Sequence, residues 1–411
     1  MNIFSKLLLS SVIILFSVQV SASKTPSLEE MWQLVQKQQQ VLEAQKAEIA
    51  RLKQAAQKNE EKIEATTVAL EESEKTYGKA AEWFNKTSIG GYGELHYNNL
   101  DNKTSGLDDK KEMDLHRFVL FFDHEFREDL RFISELEVEH AISGGDEDGE
   151  VEIEQAYVEY DLNDFNAAKA GVFLMPFGII NETHEPTTFY GTERNPVETN
   201  IIPSTWWEGG IGLSSHFENG FSTDVSVTSG LYLKESKNFK IRKGRQKSSK
   251  AYADSLGLSG RVKYTAIPGL ELSLSGFYQD DYNQDRTDSS DSLTGYETHA
   301  VYSKDKFKII ALYANWSLDG DAAEAIGADK QDGWYIEPSY KFTEKLGVFA
   351  RYNEWDNAAG GNGDSRFKQT DFGLNYWLDE GVVLKADYQN QSSPKGEDEF
   401  DGFNLGLGYQ F

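Results

Sequence analysis

From Ser88 onward, apolar and polar residues alternate with period two. Such segments fall near residues 88–98, 113–125, 130–142, 151–162, 167–177, 209–217, 221–230 and 253–265. They continue near 270–280, 295–304, 306–317, 332–342, 346–356, 367–378, 382–389 and 402–411. Period two places successive side chains on opposite faces of a strand, and about ten residues suffice for a tilted strand to cross a bilayer. Ala156, Val158, Tyr160 and Leu162 alternate with Gln155, Tyr157, Glu159 and Asp161; Phe372, Leu374, Tyr376 and Leu378 alternate with polar or small residues. The connections alternate too. Phe126–Asp129, Asn163–Asn166, Glu218–Gly220, Ala266–Gly269, Asp305, Thr343–Lys345 and Asp379–Gly381 are short; Asn99–Glu112, Gly178–Glu208, Leu231–Tyr252, Asp281–Thr294 and Leu318–Gln331 are long. Short periplasmic turns alternating with long outer loops mark a transmembrane barrel. The expected fold class is all-β: a transmembrane antiparallel β-barrel of about 16 strands over residues 88–411. An even strand count brings both barrel ends to the periplasmic side.

The last segment carries the sharpest local pattern. Phe403, Leu405, Leu407, Tyr409 and Phe411 share one face, and Gly402, Asn404, Gly406, Gly408 and Gln410 share the other. In water such an apolar edge would invite aggregation, whereas in a barrel it is paired and faces lipid.

Ahead of the barrel the period changes to seven. Leu28, Val35, Leu42, Ile49, Ala56, Ile63, Leu70 and Tyr77 occupy successive heptad positions in a stretch free of Gly and Pro. This predicts an α-helical coiled coil over 28–77, capped by Thr25 or Ser27 with Pro26 in its first turn. The companion positions Met31, Gln38, Gln45, Leu52, Asn59, Thr66 and Ser73 are mostly polar, so the seam suits setting register and partner number better than supplying stability; a solvated single helix is the alternative. Residues 1–22 have the form of an export signal, with Lys6, an apolar run Leu7–Val20 and small residues at Ser21-Ala22. Residues 23–87 are then a periplasmic coiled-coil segment and linker.

Composition narrows the function. The 411-residue chain has a formal net charge of −27, which argues against nucleic-acid binding. Mean hydropathy is −0.57. That value fits a barrel, in which only alternate strand residues meet lipid. With no cysteine there is no disulfide and no thiolate metal site. The seven histidines form no His-Glu-x-x-His pattern, and Gly-rich phosphate loops and nucleophile elbows are absent, so neither an enzyme nor a cofactor is expected.

Several runs between Met113 and Phe217 resemble the phosphate-selective porin O/P family and its relatives, the LbtU-type siderophore porins. They are Leu115-His116-Arg117-Phe118, the run Glu135 to His140, the run Glu154 to Tyr160, Ala170 to Gly178, Asn181 to Pro186, and Ile201 to Gly210. The resemblance implies an outer-membrane, homotrimeric, 16-stranded pore with its third long loop folded into the lumen, partnered by small hydrophilic solutes or ions and by outer-membrane lipid. It leaves the solute open between diffusing ions and a specific siderophore or phosphate. A barrel that merely anchors an interaction stalk is the alternative from another class.

That third loop, Gly178–Glu208, carries Glu182, Glu185, Glu193, Glu198 and Glu208 against Arg194 alone, a departure from the basic arrays of phosphate-selective members. Its Pro186, Pro196 and Pro203 restrict its freedom. Glu182, His184, Glu185, Glu193 and Arg194 are the expected constriction, biased toward cations as carboxylate rings are; alternatively Glu182 and His184 pin the loop to the wall. Glu135, Glu137 and Glu139 share a strand face opposite Leu136 and Val138, and so should face the lumen. They form either a solute track or wall charges paired with Arg117 or Lys169. The basic cluster centred on Lys240, Arg242, Lys243 and Arg245 lies in the next long loop, as an anion-capturing mouth, a contact to surface lipid phosphates, or a solvated loop.

Overall fold

The computed structural model describes residues 27–145 and 148–411. The expected export signal, 1–22, lies outside them. The chain divides into two compact units between Ala81 and Glu82.

Helix α1 covers Leu28–Asn85, about 87 Å at 1.5 Å per residue. Its start is a capping box: Ser27 Oγ accepts from the Glu30 amide, and Glu30 accepts in return from the Ser27 amide at 2.9 Å. The helix outruns the expected end at Tyr77. Gly78 interrupts the good helix formers, yet a single internal glycine costs only about 1 kcal/mol, so no linker separates α1 from the first strand. Leu28, Val35, Leu42, Ile49, Ile63 and Leu70 are all exposed along it. No helix among the described residues is long and apolar enough to cross a membrane.

Sixteen strands follow. They are β1 (Thr87–Asn102), β2 (Lys110–Arg127), β3 (Leu130–Glu139), β4 (Val151–Asn163), β5 (Asn166–Leu174), β6 (Trp207–His216), β7 (Phe221–Thr228) and β8 (Gly257–Tyr264). The second half contains β9 (Leu270–Gln279), β10 (Leu293–Lys304), β11 (Phe307–Leu318), β12 (Lys330–Lys341), β13 (Leu346–Asp356), β14 (Phe367–Asp379), β15 (Val382–Ser392) and β16 (Phe400–Gln410). Each pairs antiparallel with its sequence neighbours, and β1 pairs with β16, so the barrel closes without a free edge. Every backbone group at membrane depth can thereby find a partner in the ladder, as hydrocarbon requires.

The alternation of turns and loops holds throughout. The first loop is shorter than expected, because β1 and β2 stay in register out to Leu100 and Lys110 and leave only 103–109 between them. The outer face carries exposed Leu136, Val158, Tyr160, Ile211, Leu213, Leu272, Leu274, Trp334, Ile336, Phe372, Leu374, Tyr388, Phe403 and Leu405. Aromatics gather outside the short-turn end at Phe126, Tyr160, Phe165, Phe217, Phe221, Phe307, Tyr340, Phe342 and Phe411, where an interfacial girdle belongs.

Two β-bulges break the period on the inner wall. One lies opposite Glu94/Leu95 and leaves His116 as the extra residue of β2. The other lies opposite Glu135/Leu136 and leaves Glu154 as the extra residue of β4. A bulge re-aims a side chain. Here the parity change keeps Val151 and Ile153 outward while Glu154 is fully buried.

Candidate functional site

The third long connection, L3 (residues 175–206), folds inside the barrel and is tied to the wall on several sides. Near β3 and β4, His184 Nε2 lies 3.1 Å from Glu135 and 3.6 Å from Glu154, and its Nδ1 lies 3.0 Å from the Asn181 carbonyl. Near β8, Arg261 pairs with Glu182 and also, at 2.7 Å, with Asp224 of β7. Toward β13–β15, Arg351 donates to the Tyr190 carbonyl, Asn375 to the Phe189 carbonyl, and the Thr192 amide to Asp387 at 2.7 Å. Asn181 closes the neck of the loop: its side chain accepts from the Trp206 amide at 2.6 Å and donates to the Met175 and Trp206 carbonyls.

The deepest anchor is Glu198, in the short helix α2 (Val197–Asn200) and fully buried. One carboxylate oxygen accepts from the amides of Ile179 and Ile180 at 2.7 and 2.6 Å; the other accepts from the Tyr335 hydroxyl at 2.7 Å and from Asn195 at 3.2 Å. Burial pushes this carboxyl up, against the opposing pull of those four donors. Around it Phe177, Val197, Ile201, Trp206, Phe277 and Trp316 form a hydrophobic cluster inside the barrel. Glycines on the facing wall permit the close approach. A Cβ at Gly408 would stand 2.4 Å from Pro186, and one at Gly347 would stand 2.2 Å from the Tyr190 hydroxyl.

The fourth long loop, L4 (residues 229–256), lies over L3. Arg242 donates to the Ser204 carbonyl at 2.8 Å and to the Thr199 carbonyl, and Arg245 donates to the Ser204 and Thr205 carbonyls. Burial and the neighbouring Arg245 lower Arg242 to about 9. Lys247 pairs with Glu150 at 2.7 Å and with Glu152. The basic loop is therefore divided: Arg242 and Arg245 brace L3, while Lys240 and Lys243 remain exposed.

The expected constriction residues separate in the same way. Glu193 and Arg194 line a cavity of about 350 Å³ on the long-loop side of L3, together with Glu94, His96, Asn98, His116, Arg117 and the amides of Gln369, Gln389 and Gln391. Glu182 belongs to the Arg261 pair, and His184 is buried as a wall anchor instead of bordering open water. Glu185 is half-buried, and its carbonyl caps the turn at Thr188. On the wall, Glu137 meets Arg117 at 3.2 Å, Glu135 meets His184 and Gln155, and Glu139 stands half-buried at the end of β3. Lys169 does not pair with these glutamates; its ammonium lies 4.5 Å from the centre of the Phe173 ring.

The charge arrangement on the wall is regular. Arg117 sits between Glu94 and Glu137, at 3.0 and 3.2 Å. Arg351 sits between Glu337 and Asp371, at 3.1 and 3.2 Å. Arg261 sits between Asp224 and Glu182, and Arg131 between Glu159 and Asp161. Each arginine is matched by two carboxylates, which leaves the wall net acidic at each of these positions. Glu94, Glu154, Arg261, Arg351 and Asp371 were not singled out from sequence. Glu94 could have been, because Tyr92, Glu94, His96 and Asn98 share one face of β1. Glu154 could not, because plain alternation places it with Ala156 and Val158 on the lipid side.

A family model described as Gram-negative porin matches residues 65–396. An uncharacterized protein of Aquifex aeolicus (strain VF5) is 32% identical over 333 residues, covering 73% of this chain and 74% of the relative. Among solved structures, OmpF of Salmonella typhi in complex with daunomycin superposes with a TM-score of 0.55 at 15% identity, covering 79% of this chain and 97% of that one. The outer membrane channel DcaP of Acinetobacter baumannii gives 0.54 at 15% identity with the same coverage. The trimer form of OmpT of Vibrio cholerae gives 0.51 at 12% identity, covering 79% and 99%. These structural likenesses establish a shared fold; the family match and the closed sixteen-stranded barrel together make the chain a member of the Gram-negative porin family, an outer-membrane porin.

Proposed function

We propose that the protein is a passive, homotrimeric pore that admits small hydrophilic solutes and ions past L3 and favours cations. The observation that carries this reading is the two-to-one matching of wall arginines by carboxylates. A guanidinium held between two carboxylates has little field left for an anion, while the surplus negative charge attracts cations in a low-dielectric passage. Filtering needs no chemistry and no energy coupling: L3 sets the aperture and the wall sets the sign. The narrower likeness to phosphate-selective or LbtU-type siderophore porins is the second reading, and the pairing of Arg117, Arg261 and Arg351 weighs against phosphate. Helix α1 is proposed to lie in the periplasm and to associate through its exposed heptad residues with α1 of two further copies.

Reconstituted protein in planar bilayers under a KCl gradient tests the reading. Cation-selective conductance in groups of three steps is expected. Anion selectivity saturating with phosphate would favour the second reading, and a folded barrel without conductance would leave an anchor for an interaction stalk.

A further inference from the structure

Three histidines form a short ladder on the long-loop side of L3. His96 of β1 and His116 of β2 stack with ring centres 4.6 Å apart, and His116 meets His140, just beyond β3, edge to face at 5.6 Å. Carboxylates hold one nitrogen of each ring. His96 Nε2 lies 3.2 Å from Glu94; His116 Nδ1 and His140 Nδ1 lie 3.0 and 2.9 Å from the same oxygen of Asp114. What those contacts leave over is directed at one place. His96 Nδ1 is buried on a residue only 4% exposed and makes no hydrogen bond, although Glu193 Oε1 of L3 stands 3.3 Å away. His116, turned inward by its bulge, contributes the third donor: ligand atoms of His96, His116 and Glu193 lie within 4.8 Å of one another.

We propose that His96, His116 and Glu193 form a binding site for a divalent transition-metal ion of the zinc class. Two ligands on one tetrahedral zinc, each roughly 2.05 Å from the metal, stand roughly 3.3 Å apart, and that is the His96–Glu193 separation. To ligate, His116 turns out of its stack on His96 and brings a ring nitrogen onto the ion, the three ligand atoms starting within 4.8 Å of one another. The lining of the 350 Å³ cavity includes all three residues, so the fourth position opens to water and the ion has a route in. Glu94 and Asp114 are the outer carboxylates that orient ligating imidazoles and raise their basicity. Two imidazoles and one carboxylate select zinc-class ions over magnesium and calcium, which prefer all-oxygen sites. Three cations share the cavity lining: Arg117 is taken up by Glu94 and Glu137, Arg194 donates to the His184 carbonyl at 3.2 Å, and Lys110 pairs with Glu112 at 3.3 Å.

The test uses the full chain in detergent, with zinc chloride titrated against a chromophoric chelator and cobalt(II) chloride followed by its visible absorption. A tetrahedral cobalt spectrum is expected in the wild type. H96Q and H116Q are each expected to weaken zinc binding at least tenfold, and D114N about tenfold, the usual cost of losing an orienting partner. H216Q, at the short-turn end, should leave it unchanged. Native-like heat-modifiable migration shows that a variant is folded, and the cobalt spectrum needs no variant. Zinc held no more tightly by the wild type than by the H96Q/H116Q double variant would overturn the site. So would equal competition by magnesium, which would reduce it to a diffuse acidic patch. Because binding is read in detergent, it is decided whether or not the barrel conducts.

Discussion

If L3 sets the aperture, its attachment at Glu198 should govern conductance. Glu198→Ala leaves four donors without an acceptor: the Ile179 and Ile180 amides, the Tyr335 hydroxyl and the Asn195 amide. A buried donor left unsatisfied costs roughly 1–3 kcal/mol. The four therefore cost about 4 kcal/mol at the least, before the void left by the side chain is counted. That is enough to shift the loop's equilibrium toward detached conformers a hundredfold or more, since each 1.4 kcal/mol is about tenfold. Glu198→Gln keeps the shape and one accepting oxygen, but turns an NH₂ group toward donors on the other side, so about half the loss is expected. Single-channel recording should show larger and noisier openings, in the order Ala, then Gln, then wild type. Amide exchange at Ile179 and Ile180 should accelerate in the same order. Conductance and exchange identical to wild type in a folded Glu198→Ala barrel would refute the assignment of L3 as the gate-setting element.

Four further outcomes follow from particular contacts. Arg117→Ala strips the counter-charge from Glu94 and Glu137; breaking such a buried set costs about 3–5 kcal/mol, and reversal potentials should move toward stronger cation preference. Gly408→Val places a branched side chain where a Cβ already meets Pro186 at 2.4 Å, so L3 should be displaced and conductance raised, read against a conservative Gly408→Ala of smaller effect. Leu42→Asp with Ile49→Asp puts charge on the heptad stripe of α1 and should lower the temperature at which oligomers separate in semi-native electrophoresis, while leaving single-pore conductance unchanged. The Glu150 carboxyl is held down at about 2, first by the hydrogen bond shared with Glu152 and then by Lys247. A depressed carboxylate stabilises above its unfolded value near 4.3 and loses that contribution as pH falls through its folded one. The Glu150–Lys247 contact should therefore persist at neutral pH and loosen between about pH 4 and 2, reported by the fluorescence of Trp207, whose ring lies 5.8 Å from the Lys247 ammonium.

The sequence by itself determined the barrel. Period-two alternation has one physical reading when its apolar face is continuous and its turns alternate short and long, and the Phe403–Phe411 stripe and the Leu28–Leu70 heptads are equally local signals. The glycine face of the last strand, Gly406 and Gly408, was legible too, although its purpose as a seat for L3 was not. Tertiary structure alone decided which charges meet. Glu182, His184, Glu193 and Arg194 lie within one stretch of thirteen residues, yet they end on different walls because L3 crosses the lumen, and no spacing rule encodes where a long loop lands. The bulges at His116 and Glu154 reverse the parity on which every inward or outward assignment from sequence depends, and a bulge is fixed by the neighbouring strand's register. Arg242 and Arg245 read as surface charges until L4 is laid over the carbonyls of L3. Local periodicity fixes which face of a strand is apolar; only the folding of L3 into the closed barrel brings residues such as His96 and Glu193, far apart in the chain, to within 3.3 Å of one another.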